Sequence, residues 1–235
     1  MSLTTYISSR LPILMWEILF SMKRNSEDIS NGVDIDWWDQ KPLKPHDQIK
    51  ELVRIVEEYD LKEKILAVVG GSNHPARARR LTGHDYDLEF AEMLGIEDRY
   101  GKYGVAMLLR FGKQRVGNNR VHTGNKVRYL VYATHGWAGG RKAGASINAA
   151  RELGSVMLAD CYIVSHRHLD SVTRDEFLIF DHRRTRVQVV KRMYVTSGSF
   201  LKWGGYAQAK GLQPSGTGTP RIRFDGTKKD IHVTI

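Results

Sequence analysis

Four of the chain's nine histidines fall shortly after an apolar run. "KILAVV" (64–69) leads into "GGSNHPAR", with Asn73 and His74. "VRYLVYAT" (127–134) stops at His135-Gly136, and "CYIV" (161–164) stops at Ser165, followed by His166, Arg167 and His168. Imidazole nitrogens suit Zn, Fe or Mn, and an asparagine carbonyl completes a shell of mixed nitrogen and oxygen donors. One histidine after a strand is an ordinary hydrogen-bonded loop residue. Three such loops in one chain point to a shared metal-type site, because loops at the carboxyl ends of strands in an α/β sheet converge on one edge.

The elements that must position these loops are visible in the patterning. A helix begins near Pro45, a favoured first-turn residue. Its Ile49, Leu52, Val53 and Val56 follow helical spacing, so one face is expected to be buried. "KILAVV" is a short apolar run, as for a strand covered on both sides, and "VRYLVYAT" and "CYIV" are expected strands. "DLEFAEMLG" (87–95) and "SINAARELGSVML" (146–158) are expected helices. "EFLIF", "RVQVV", "RMYVTSG", "RIRF" and "IHVTI" are expected strands, rich in β-branched residues. Helices concentrated in the first two thirds and strands in the last third predict an α/β sandwich. No linker divides the chain, so residues 1–235 are expected to form one domain.

Composition narrows the classes. Cys161 is the single cysteine, so an intrachain disulfide framework is excluded; its apolar setting predicts a buried structural thiol. "LPILMWEILF" (11–20) is half the length that spans a bilayer, carries Glu17, and lacks a cleavage site. It is expected to be a buried strand, and the protein cytoplasmic with no membrane partner. Lys and Arg number 36 against 26 Asp and Glu, a net +10 that favours phosphate-bearing partners. Basic clusters occur at "HRRTR" (182–186), "VKR" (190–192) and "TKK" (227–229). Their turn positions are also those of plain solvated charge, and no helix-turn-helix or zinc-knuckle spacing occurs.

Taken in order, "SNHPAR", "THGWAGGR" and "SHRHLD" resemble the later motifs of the calcineurin-like metallophosphoesterases. That family carries Asp-x-His, Gly-Asp-x-x-Asp, Gly-Asn-His-Asp/Glu, a further His, and Gly-His-x-His, each at a strand end. The tail "VTSGSFLKWGGYAQAKGLQPSGTGTPRI" is similar to that of a bacterial and phage-type branch, and the resemblance runs from about residue 15 to 235. It implies a four-layer α/β/β/α sandwich with two mixed sheets. It also implies divalent metal ions (Mn, Fe, Zn or Ni), two of them in the family. Asn73, His135 and His166 would hold one ion and His168 the other. His74 would protonate the leaving oxygen while metal-activated water attacks phosphorus, and Arg77 and Arg141 would bind phosphate oxygens.

The sequence also departs from the family. No Asp-x-His precedes residue 15; the one such triplet is Asp230-Ile231-His232, in an expected alternating strand. No Gly-Asp occurs, and Glu17 aligns with the bridging Asp. Ser72 and Ser165 replace glycines, and Pro75 replaces an acidic residue. The expectation is a family member without the first strand and motif, holding two metals, one or none. Its expected function is hydrolysis of a phosphomonoester or phosphodiester, nucleic acid included. The alternative is a degenerate relative that binds nucleic acid or a protein partner, and a homo-oligomer in which a neighbour completes the site is open to either.

Overall fold

The structure, a computed structural model, describes residues 3–6, 45–71, 79–80, 82–111, 127–137, 143–166, 169–198, 211 and 219–235. Pro45, lacking an N–H that a first turn leaves unpaired in any case, opens helix α1 (Pro45–Glu58). Its Ile49, Leu52, Val53 and Val56 are all buried, as the spacing predicts. They pack with Phe90 and Ala91 of α2 (Tyr86–Met93), with Leu94 and Ile96, and with Val68. The Asp85 carboxylate caps α2 by accepting the Leu88 N–H at 3.4 Å, and Gly95 follows its last turn.

The strands are β1 (Leu3–Tyr6), β2 (Val68–Val69), β3 (Tyr100–Gly101), β4 (Val105–Phe111) and β5 (Val127–Thr134). After helix α3 (Ala143–Val156) come β6 (Cys161–Val164), β7 (Ser171–Asp181), β8 (Arg186–Thr196), β9 (Arg221–Phe224) and β10 (Ile231–Thr234). Six form one mixed sheet in the order β1-β4-β5-β6-β8-β7. Its centre, β5-β6-β8, is parallel, and the hairpin β7–β8 is antiparallel. β2 and β3 form a short parallel pair, and β9 and β10 an antiparallel pair.

Side-chain alternation sorts the faces. Met107, Leu109, Tyr129, Val131, Cys161 and Val195 form the core on one face, where Val69 and the β9–β10 pair pack. Tyr162, Val164 and Tyr194 point to the other face, which α3 covers through Ala150 and Leu153. The central strand β6 is therefore buried on all four residues. Tyr162 and Tyr194 stack at 4.8 Å, and the Tyr162 hydroxyl donates to the Met157 carbonyl (2.7 Å) at the end of α3. The two residues of β2 point opposite ways, Val68 toward α1 and α2 and Val69 toward the large sheet. The molecule is thus an α/β architecture with mixed sheets packed against helices.

Several expectations are refined. Of "KILAVV", only Val68–Val69 enters a ladder; the Ile65 carbonyl instead accepts a hydrogen bond from the Arg99 guanidinium (2.8 Å). "RVQVV" and "RMYVTSG" are one continuous strand, β8. β1, β3 and β4 are additional to the strands expected from the sequence. Cys161 is fully buried, and burial pushes its thiol pKa well above the ordinary range. His232 is exposed on β10 between Ile231 and Val233, whose side chains pack on the core, so Asp230-Ile231-His232 belongs to an alternating strand. Among the described residues no helix is long and apolar enough to cross a membrane. The stretch 11–20 lies outside the described residues.

Candidate metal centre

The parallel register of β5 and β6 places Thr134 beside Val164, so the loops that follow start level on one sheet edge. His135 is the next residue after β5, and His166 the second after β6. Their rings meet edge to face with centroids 4.9 Å apart. His135 Nε2 lies 2.8 Å from His166 Nδ1, and the tautomers decide which nitrogen donates. His135 is buried at 5% exposure, whereas His166 is half-exposed.

The surrounding chain fixes this meeting point. The Thr134 hydroxyl donates to the Tyr103 carbonyl (2.9 Å) and accepts from the Gly136 N–H (3.3 Å), which anchors the turn around His135. Gly136 has φ 84°, and a Cβ there would meet Val164 Cγ1 at 2.6 Å. His166 itself is left-handed, with φ 74°. Ser165 has no positive φ, so a serine there carries no backbone strain. Its hydroxyl instead bonds the Ser197 hydroxyl (2.8 Å), while Ser197 N–H donates to the Val164 carbonyl (2.8 Å). That bridge ties the end of β8 to the end of β6. Neither Thr134 nor Ser197 is singled out by sequence alone; the signal for Thr134 is a hydroxyl residue directly before a strand-end His-Gly.

The loop after β2 starts from the separate β2–β3 pair. Gly71, just after β2, has φ 85°, and a Cβ on it would meet the Lys102 carbonyl oxygen at 2.2 Å. Lys102 adjoins Tyr103, whose carbonyl accepts from the Thr134 hydroxyl. Asn73, His74 and Arg77, together with Glu17, Arg141 and His168, lie outside the described residues. Of the expected ligands, the structure brings together His135 and His166.

The pair can be tested against a cation. Two nitrogens at about 2.1 Å from one ion would be about 3.0 Å apart at a right angle and about 3.4 Å apart in a tetrahedron. The observed 2.8 Å needs a few tenths of an ångström of opening for the first and more for the second. The separation is that of a hydrogen bond, and it lies nearer the right-angle than the tetrahedral spacing of two ligands. Among the described residues there is no group of three or more His, Cys, Asp or Glu arranged to hold a metal. Comparison with protein-family models, with curated proteins and with solved structures gives no match to the chain in any of the three.

Proposed function

We propose that this protein is a metal-dependent phosphoesterase with the metallophosphoesterase-type four-layer sandwich, acting on a phosphomonoester or phosphodiester, nucleic acid included. The observation that carries the proposal is the meeting of His135 Nε2 and His166 Nδ1 at 2.8 Å, on neighbouring parallel strand ends. The packing order supports the fold half: α1 and α2, then β2, then the six-stranded sheet, then α3. Bound divalent ions would supply Lewis acidity toward the phosphoryl oxygens and activation of the attacking water.

The chain's own residues divide the rest. Asn73 joins His135 and His166 in one ligand set, and His168 serves a second, with Glu17 in the place of the carboxylate that would bridge the two. His74 hands a proton to the leaving oxygen, and Arg77 and Arg141 hold the phosphate. Neutral ligands bind a divalent ion more weakly than a set with a carboxylate, so occupancy is expected to depend on supplied metal.

The test is hydrolysis of bis(4-nitrophenyl) phosphate and 4-nitrophenyl phosphate by the purified full chain with Mn, Fe, Zn or Ni. The expected result is metal-dependent turnover that falls about 10²–10⁴-fold in His74→Ala, with metal content unchanged. No turnover with any of the four ions would overturn catalysis and leave a binding module on this fold.

A further inference from the structure

The hairpin β7–β8 is longer than the sheet that holds it. β6 pairs with β8 only over Met193–Thr196, whereas β7 pairs with β8 from end to end. Seven further residues of β8, Arg186 to Arg192, therefore run on with β7 as a two-stranded ribbon of about 24 Å. Isolated two-stranded ribbons are marginal in water unless a face is covered. One face of this one is apolar and open: Leu178 pairs across to Val189 and Phe180 to Val187, with exposures of 74%, 55%, 49% and 59%.

The far end is strongly basic. The ribbon, residues 175–192, holds five Lys and Arg against three acids, and at its far end Arg183, Arg184 and Arg186 outnumber the single acid, Asp181. Asp181 is committed to the turn, accepting the N–H groups of Arg183 (3.0 Å) and Arg184 (3.3 Å). Arg183, Arg184 and Arg186 are exposed, and among the described residues none is paired with a carboxylate. Arg192 lies over the Phe177 ring at 4.2 Å.

We infer that this ribbon is an arm that grips duplex DNA. A two-stranded β-ribbon is what the B-form major groove, about 12 Å wide, admits. Guanidinium groups at the tip meet phosphates on either side, and the Leu178–Phe180 face meets the thymine methyls and sugars at the groove floor and wall. The chain's net +10 draws the duplex in. An acidic protein surface would satisfy the tip but offers no groove of ribbon width. The arm's tip, at Arg186, is at the opposite end of β8 from Thr196, which pairs with Val164 two residues before His166. It binds remotely from the candidate metal centre and does not depend on turnover there.

The experiment is fluorescence anisotropy of a labelled 20-base-pair DNA duplex with the full chain in EDTA, at 50, 100 and 200 mM salt. Arg183→Ala/Arg184→Ala/Arg186→Ala is expected to lose at least tenfold in affinity at 50 mM and to flatten the log–log salt slope by about three. Leu178→Ser/Phe180→Ser is expected to weaken binding with the slope unchanged. Lys62→Ala/Lys64→Ala, on the far helical layer, should stay within twofold of wild type. An RNA duplex of the same sequence should bind at least tenfold more weakly, since its deep groove is too narrow. No binding at 50 mM salt, wild-type affinity in the triple variant, or equal affinity for RNA would each overturn the inference. So would a sedimenting dimer that Leu178→Ser/Phe180→Ser dissociates without changing DNA affinity, which would assign the face to a second copy.

Discussion

His166 holds a left-handed backbone, φ 74°, that a non-glycine residue adopts at a cost of about 1–2 kcal/mol. The conformation turns the chain at the end of β6 so that Nδ1 meets His135, and a purely structural role would not require an imidazole there. In metal-free urea unfolding, His166→Gly should therefore stay within about 1 kcal/mol of wild type, because relief of strain offsets the lost contact. A larger loss would make the ring a structural element. Gly71 and Gly136 are the opposite case: each is left-handed, and a Cβ on either collides with a neighbour. Gly136→Ala and Gly71→Ala should each destabilise by about 1–3 kcal/mol, read as a lower urea midpoint with unchanged slope. At this scale the sequence is informative where a residue follows an apolar run directly. His135 and His166 stand out for that reason, whereas the Ser165–Ser197 bridge joins residues 32 apart and has no local signature.

The elements differ in how far local pattern determines them. α1 is legible because four apolar residues at helical spacing all find the same core. β4, "VAMLLRF", is a nearly unbroken apolar run, a signal that a buried helix face shares, and its strand character comes from pairing with β5. β8 reads as two strands because Lys191-Arg192 interrupts the run. The structure continues it because those residues sit where the hairpin leaves the sheet and charge can reach water. Leu153, fully buried beneath α3 against Tyr162 and Tyr194, carries that helix's packing. Leu153→Ala should cost about 2–5 kcal/mol in chemical denaturation.

The β9–β10 turn supplies a pH prediction. The Thr227 hydroxyl and backbone amide, then the Lys228 amide, hold the Asp225 carboxylate down to a pKa of about 2, from an ordinary 3.8. A depressed carboxylate stabilises the fold above its unfolded value, and that contribution fades as pH falls toward the folded value. Between pH 4 and 2 the wild type should lose urea resistance more steeply than Asp225→Asn. Parallel curves would mean that the turn adds nothing.

For the whole molecule, the α/β class follows from alternating apolar runs and amphipathic segments, and it is what the structure has. The stacking of layers is less legible, because it depends on which face of each strand meets which neighbour. Val68 and Val69, identical and adjacent, serve different cores. The +10 charge has no location in the sequence alone; the fold gathers three of its arginines, Arg183, Arg184 and Arg186, at the exposed tip of the hairpin. The candidate metal centre is a property of the whole fold as well, since β5 and β6 bring together histidines 31 residues apart. Elemental analysis of the full chain, loaded with Mn and desalted, tests this most directly, in wild type beside His135→Ala and His166→Ala. At least one ion per wild-type chain, with a loss of at least one ion per chain in each variant, is the predicted result. No metal in the wild type, or the same content in both variants, would contradict it.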